Sequence, residues 1–283
     1  MNHAILLISC SDQKGITAAV TGFVATHQGN IIHADQHIDE DSNTFFMRIE
    51  WALDGFLLID DQISSKFSPI ANQFKMTWEL CFAKKKARVA IFVSRHLHCL
   101  YDLLYRYKAN QLACEIPLII SNHPDASFIA KEFNIKFQEF AVLPDSKAMA
   151  EEGQMALLRR ERIDVIVLAR YHQILSSNFV EAYKNKIINI HHSFLPAFAG
   201  KNPYLQAYQK GVKLIGATSH YVTEVLDEGP IIDQDTVRIS HRDTIEDLVR
   251  KGEDLEKTVL NRALRCHLAK KILCYGHKTV VFD

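Results

Sequence analysis

The strongest constraint on the fold is a change in the pattern of apolar residues near Lys84-Lys85-Lys86. Before this basic triplet, predicted strands such as residues 45–51 alternate apolar and polar side chains, which is typical of an antiparallel sheet. After it, short and almost continuous apolar runs such as residues 88–93 and 164–168 predict parallel strands that are buried on both faces. The chain therefore predicts two modules of different architecture.

The first module, residues 1–83, follows a βαββαβ order, the ferredoxin-like arrangement of two helices on an antiparallel sheet. Apolar residues at helical spacing predict helices over 16–27 and 56–67, and we expect Pro69 to end the second helix. Because the strands alternate, one face of this sheet is expected to be solvated.

The turns of this module resemble those of the ACT domain family. A D-x-x-G turn from Asp12 to Gly15 follows the first strand, where the aspartate is expected to cap the next helix, and the second strand begins at Asn30 and Ile31. ACT domains often bind a small amino acid between two copies, near these turns. The resemblance implies an effector site at those four residues and a homodimer or homotetramer. The alternative is that Gly15 and Asn30 are only turn and cap residues.

The pattern of the second module, residues 89–283, predicts a doubly wound, mostly parallel α/β domain. A linker over 84–88 is expected to join this domain to the first module. Ligands bind such sheets beyond the carboxyl ends of the strands. Asn189 and His191 end one apolar run there, and they face the same side because side chains alternate along a strand.

A third polar residue, Asp227, stands in the Leu-Asp-Glu-Gly-Pro turn at 226–230. Asparagine, histidine and aspartate suit the transfer of an acyl group to or from nitrogen. We expect His191 to move the proton, Asp227 to orient its ring and Asn189 to stabilise the oxyanion. Alternatively, the three are a strand cap, a core histidine and a turn residue.

The N-x-H-x-S-x-L-P sequence at 189–196, followed by that turn, resembles the signature of folate-dependent formyltransferases. This resemblance implies that the loop after Leu168 holds the pterin ring, with His172, Gln173 and Leu175 as candidate contacts, unless it is an ordinary loop. The resemblance also implies that His220 lies near the formyl site. The alternative is that His220 is a buried histidine with only a structural role.

The acceptor of the formyl group is expected to be water. Glycinamide ribonucleotide transformylases carry a glycine- and serine-rich loop whose amides hold a phosphate. The corresponding residues 93–100 contain no glycine, and bulky side chains should close the site to a ribonucleotide. We also expect no counterpart of the tRNA-binding domain of methionyl-tRNA formyltransferases, since the sequence ends at Asp283.

Over essentially its whole length, the chain resembles the formyltetrahydrofolate deformylase family, in stretches at 93–106, 121–125, 203–213 and 216–222. The resemblance implies hydrolysis of 10-formyltetrahydrofolate to tetrahydrofolate and formate, which balances the one-carbon folate pool and supplies formate for purine synthesis. Two alternatives stay open: a formyltransferase with an amine acceptor, and a catalytically silent sensor of folate or an amino acid.

Charge and cysteine content limit the classes of partner and ligand that are expected for this protein. Lysine plus arginine equals aspartate plus glutamate at 33 each, so there is no basic field to attract nucleic acid or anionic lipid. The six cysteines form no C-x-x-C pair, and no apolar run approaches the length of a membrane span. We expect a cytoplasmic enzyme with no nucleic-acid or membrane partner, no required cofactor and no metal.

Overall fold

The computed structural model describes residues 2–142, 146–197 and 203–282. It divides into two compact units: the first runs to Lys86 and includes 270–275 and the residues from Val280 onward, and the second comprises 87–269 and 276–279. The predicted mixed α/β class is confirmed, with a βαββαβ unit followed by a mostly parallel sheet. The division differs from the predicted one at the C-terminus, because the last residues pack with the first unit.

The first unit is a four-stranded antiparallel sheet in the order β2-β3-β1-β4, covered on one face by two helices. Its elements are β1 (His3–Ser11), α1 (Ile16–Thr26), β2 (Asn30–Asp39), β3 (Thr44–Ala52), α2 (Asp60–Gln73) and β4 (Thr77–Phe82). Apolar side chains on alternate positions of β1, such as Leu6 and Ile8, are buried with Ile63 and Phe67 of α2. This burial against the sheet stabilises both helices.

The prediction that Pro69 ends the second helix is wrong. Pro69 lies inside α2, which continues to Gln73. A proline removes one backbone hydrogen bond from a helix interior, but Ile63, Phe67 and Ala71 form one buried stripe across it. Packing of this stripe therefore outweighs the local cost.

The expectation of a solvated face on the first sheet is also wrong, because side chains from the C-terminal strands β12 (Ile272–Tyr275) and β13 (Lys278–Val281) pack on that face. Leu7 and Phe46 point away from the helices, and they form a buried cluster with Phe282. Arg48 on the same side donates from Nε to the carbonyl of Lys270 at 2.9 Å. Strand β1 is therefore buried on both faces, which explains its continuous run of apolar residues.

The second unit is built on a seven-stranded sheet in the order β11-β10-β9-β8-β5-β6-β7. Its strands are β5 (Ala87–Val93), β6 (Cys114–Ser121), β7 (Lys136–Glu139), β8 (Val165–Ala169), β9 (Ile187–His191), β10 (Leu214–Tyr221) and β11 (Ile231–Arg238). Its helices are α3 (His98–Lys108), α4 (Ser127–Glu132), α5 (Lys147–Arg160), α6 (Ser177–Ala182), α7 (Pro203–Lys210) and α8 (Ile245–Leu268).

The direction of winding reverses between β5 and β8. The five strands from β9 to β7 are parallel, whereas β10 pairs antiparallel with both β9 and β11. Loops that follow β5 and β8 therefore diverge at a topological switch point, where ligands bind in sheets of this kind. Among the described residues, no helix combines the length and hydrophobicity needed to cross a membrane.

Candidate active site

A cavity of about 510 Å³ opens at the carboxyl ends of β8 and β9. The loop after β8, the end of β9 and the loop after β10 form its walls. All seven residues predicted for catalysis and substrate binding line it: Asn189, His191, Asp227, His172, Gln173, Leu175 and His220. The structure therefore brings together residues that span 56 positions of the sequence, from 172 to 227.

His191 and Asp227 face each other in this cavity. His191 Nδ1 lies 3.3 Å from Asp227 Oδ1, which is longer than a short charge-assisted hydrogen bond. This contact with His191 lowers the pKa of Asp227, so the carboxylate is ionised near neutral pH. His191 Nε2 is buried and has no hydrogen-bond partner among the described residues. A proton on Nδ1 towards the carboxylate leaves a lone pair on Nε2, as a general base requires.

Asn189 and His220 stand directly opposite each other on β9 and β10. Asn189 Nδ2 lies 3.1 Å from His220 Nε2, and His220 Nδ1 lies 2.9 Å from the carbonyl of Tyr221. That carbonyl can only accept, so Nδ1 carries the proton and Nε2 accepts from the Asn189 amide. Burial lowers the pKa of His220, which favours this neutral form. His220 thus fixes the orientation of the amide, whose second N–H is left for another acceptor.

The loop that carries Asp227 is held tightly against β10. Asp227 has a left-handed backbone (φ 57°), which aspartate tolerates better than most residues. A Cβ on Gly229 would lie 1.7 Å from the carbonyl oxygen of Tyr221. Tyr221 N in turn donates to the carbonyl of Pro230 at 2.9 Å. Only glycine permits this approach.

The predicted pterin loop is anchored to the end of β5 through Ser94. Its Oγ accepts from the backbone N–H of His172 at 3.1 Å, and its own N–H donates to the carbonyl of Arg170 at 3.3 Å. Leu175 is buried, while Gln173 is half-buried. The loop therefore presents both backbone groups and apolar surface to the cavity.

Sequence reasoning missed a cluster next to the cavity, centred on Glu256 of α8. This carboxylate is fully buried, 2.8 Å from His98 Nε2, 2.6 Å from the Tyr204 hydroxyl and 3.5 Å from Arg170 Nε. A Cβ on Gly252 would lie 2.1 Å from that hydroxyl, so glycine makes room for the tyrosine. A glycine one turn before a glutamate inside a long helix was the available signal.

One group of three potential metal ligands occurs in the described part of the chain: His98, Cys99 and Glu256, whose ligand atoms lie within 4.8 Å of one another. The Arg170 guanidinium occupies the same surroundings and repels a cation. The absence of a metal therefore stays a prediction.

Three further histidines surround Arg170 at the cavity. Burial and the Arg170 charge lower the pKa values of His96 and His172, and they lower the pKa of His192 to about 3. All three are therefore neutral at physiological pH.

The four predicted effector residues lie apart within one chain. Asn30 pairs with Ala52 at one end of the sheet, whereas the turn from Asp12 to Gly15 follows Ser11 at the other end. Gly15 precedes α1 with a left-handed backbone (φ 96°), and no side chain caps this helix, so the predicted cap by Asp12 is wrong. Asn30 is exposed and Ile31 half-buried on the edge strand β2. A shared pocket would need a second copy.

Comparison with known families agrees with this architecture. The formyl transferase family model matches residues 87–264, and the ACT domain model matches residues 4–63. The fold and the Asn–His–Asp site thus define a protein of the formyl transferase class that carries an ACT domain.

Full-length relatives narrow the class further. The chain is 53% identical over 279 residues to the formyltetrahydrofolate deformylase of Synechocystis sp. (99% of this chain, 98% of the relative), and 48% identical to that of Bacillus subtilis (98% and 93%). A solved deformylase from Pseudomonas syringae pv. tomato superposes with a TM-score of 0.98 at 47% identity (100% and 95%). The chain belongs to the formyltetrahydrofolate deformylase family.

Proposed function

We infer that this chain hydrolyses 10-formyltetrahydrofolate to tetrahydrofolate and formate, and so balances the one-carbon folate pool and supplies formate for purine synthesis. The observation that carries this function is the identity of 45–53% to deformylases along 98–99% of the chain. The intact Asn189, His191 and Asp227 constellation disfavours a silent sensor. The glycine-free loop at 93–100 disfavours transfer to a ribonucleotide.

In the first step we propose that His191 Nε2 removes a proton from water as its oxygen attacks the formyl carbon. Asp227 favours the resulting imidazolium through its contact with Nδ1. The carbonyl π electrons move to the formyl oxygen, and the free N–H of Asn189 stabilises the oxyanion. One such donor contributes about 10²–10³-fold to the rate.

In the second step the tetrahedral intermediate collapses and the C–N bond breaks. His191 returns its proton to N10 of the leaving tetrahydrofolate, and the formyl carbon leaves as formic acid, which ionises to formate. A proton carrier of this kind contributes about 10²–10⁴-fold. The folate itself is the substrate, and we propose that no further cofactor takes part.

For the pterin ring we propose the loop at 170–175, with His172, Gln173 and Leu175 in contact. Its anchoring by Ser94 supports this role, because a rigid loop keeps backbone donors and acceptors in place before the substrate arrives. His220 is proposed as a positioning residue that acts through Asn189.

The function is tested by incubating the purified full-length chain with 10-formyltetrahydrofolate in amine-free buffer. We expect equal amounts of formate and tetrahydrofolate, and no change in their formation when glycinamide ribonucleotide is added. Formylated nucleotide would identify a transferase, while an intact substrate would identify a sensor.

For the first unit we propose an amino-acid effector that binds between two copies, near Asp12, Gly15, Asn30 and Ile31. The proposal includes a cytoplasmic homodimer or homotetramer, with regulation in residues 1–83, a linker at 84–88 and catalysis in 89–283, within which 270–275 and the residues from Val280 onward belong to the first compact unit. The ACT domain match supports it.

Light scattering should give a dimer or tetramer whose activity responds to a free amino acid. Asn30→Ala should weaken that response, whereas the exposed control Glu40→Ala should retain it; a monomer indifferent to amino acids would refute it.

A further inference from the structure

Arg170 has a place in the cavity that the proposed mechanism does not use. It directly follows β8 and is held in a left-handed conformation (φ 64°), which is unusual for an arginine. Its side chain is 10% exposed and lines the cavity. Nε is buried and has no hydrogen-bond partner among the described residues. A buried N–H without a partner is costly unless a ligand or water accepts from it.

Glu256 holds this arginine without using up its donors. The carboxylate oxygens already accept from Tyr204 and contact His98, at 2.6 and 2.8 Å. The 3.5 Å separation from Arg170 Nε is an ion pair rather than a hydrogen bond. The charge is therefore compensated at a distance, and the guanidinium keeps N–H groups for a planar, two-oxygen acceptor.

The other charges in the cavity make Arg170 the natural contact for an anion. It is the only lysine or arginine among the described residues that line the cavity, and the lowered pKa values of His96, His172 and His192 leave those histidines neutral. Asp227 on another wall is ionised and repels a carboxylate. An anion formed beside Asp227 is thus driven towards Arg170.

We propose that Arg170 binds the carboxylate of formate, the product, in a subsite beside the reaction centre. The inference rests on the proposed function, because that reaction supplies the anion. The same chemistry is present in the glutamate carboxylates of the folate substrate. The two sources differ in one respect: formate in a product subsite binds together with tetrahydrofolate, whereas it competes with a folate carboxylate for the same place.

The experiment measures formate binding to the resting full-length protein by saturation-transfer NMR on the formate proton, with and without saturating tetrahydrofolate. Arg170→Gln should weaken formate binding at least tenfold and leave the circular dichroism spectrum unchanged. The matched control Arg160→Gln, whose side chain is 67% exposed, should bind formate as the wild type does.

Unchanged formate binding in a folded Arg170→Gln protein would overturn the proposal, as would loss of formate binding when tetrahydrofolate is present. If Arg170→Gln fails to fold, Arg170→Lys keeps the charge near Glu256 but loses the two-pronged geometry, and should bind formate at least threefold more weakly; wild-type binding in that variant would overturn the proposal. Because no turnover is needed, a failure of the hydrolysis assay with intact formate binding would refute the reaction alone.

Discussion

At the scale of single residues, the active site depends on which nitrogen of each histidine carries a proton. The Tyr221 carbonyl fixes the proton of His220 on Nδ1, while the Asp227 carboxylate favours the same tautomer of His191. The consequences differ because His220 Nε2 is occupied by Asn189, whereas His191 Nε2 has no partner in the described chain. The two histidines therefore have different proposed roles: His191 carries the proton, and His220 orients the amide of Asn189.

His191→Ala and Asn189→Ala should lose kcat while tetrahydrofolate still binds. Their proposed contributions arise in the transition state, so we expect kcat to fall about 10²–10⁴-fold for His191 and about 10²–10³-fold for Asn189. Steady-state kinetics and calorimetric titration with tetrahydrofolate measure the two effects separately. Parallel losses of affinity and turnover would instead indicate a structural role.

Stability should fall as the pH drops from about 6.5, partly because of His192. Burial and the Arg170 charge lower the pKa of His192 to about 3 in the folded state, whereas the unfolded value is about 6.5. Between these values the unfolded chain binds a proton that the folded chain does not. The free energy of unfolding then decreases by up to about 1.4 kcal/mol per pH unit for this group as the pH falls.

Urea unfolding between pH 6.5 and pH 5 tests this expectation, in a range above the ordinary titration of carboxylates. His192→Gln should reduce the slope of stability against pH, and the exposed His241→Gln serves as the matched control. Identical slopes in wild type and His192→Gln would show that this histidine does not contribute to the pH dependence of stability.

Local patterns in the sequence predicted Asn189, His191 and Asp227, whereas the other predicted cavity residues followed from the resemblance to formyltransferases: His172, Gln173, Leu175 and His220. Strand alternation placed Asn189 and His191 on one face, and the Leu-Asp-Glu-Gly-Pro sequence at 226–230 placed Asp227 in a turn. Local patterns did not point to Arg170, and for Glu256 they offered only the glycine one turn before it in the helix. Their arrangement depends on contacts between α8 and residues that lie 86 to 158 positions away in sequence. A glutamate in an amphipathic helix is, moreover, usually solvated.

At the scale of elements, the loop after β10 is shaped by one close backbone approach at Gly229. Gly229→Ala should place a methyl group 1.7 Å from the Tyr221 carbonyl oxygen, so the loop must move and carry Asp227 with it. We expect a loss of about 1–3 kcal/mol in stability, typical of overpacking, together with a fall in kcat.

Chemical denaturation and steady-state kinetics measure these two effects. Gly22→Ala in α1 is the matched control, because among the described residues only its chain neighbours and the nearby backbone of α1 itself lie close to the added methyl group. Alanine is also the better helix former. The control should be slightly more stable and fully active. Wild-type kcat in Gly229→Ala would mean that the position of Asp227 does not depend on this approach.

At the scale of the whole molecule, the chain does not divide into two consecutive segments. Phe282 and the last strands pack with Leu7 and Phe46, so the first unit contains both ends of the described chain. Removal of residues 1–83 would leave apolar C-terminal residues without this cluster. Regulation is therefore better tested by point substitutions, such as Asn30→Ala, in the complete protein.

The packing of the C-terminal residues on the first unit could not be predicted from the sequence, unlike the order of the elements. The βαββαβ order and the doubly wound sheet follow from periodicity and are confirmed. The C-terminal residues pack against strands that lie more than 220 positions earlier in the sequence, and local patterns do not determine such a long-range contact. The one sequence feature that reflects this packing is the uninterrupted apolar run of β1. In a strand with one solvated face, a polar residue is expected beside Leu6, where this chain has Leu7.

The central claim is that water accepts the formyl group, and the most direct test is turnover in ¹⁸O-labelled water. Mass spectrometry should detect one labelled oxygen in each formate released, in equal amount with tetrahydrofolate, and His191→Ala should release formate about 10²–10⁴-fold more slowly. Formate without the label, or a formyl group recovered on an amine while no formate appears, would contradict the assignment.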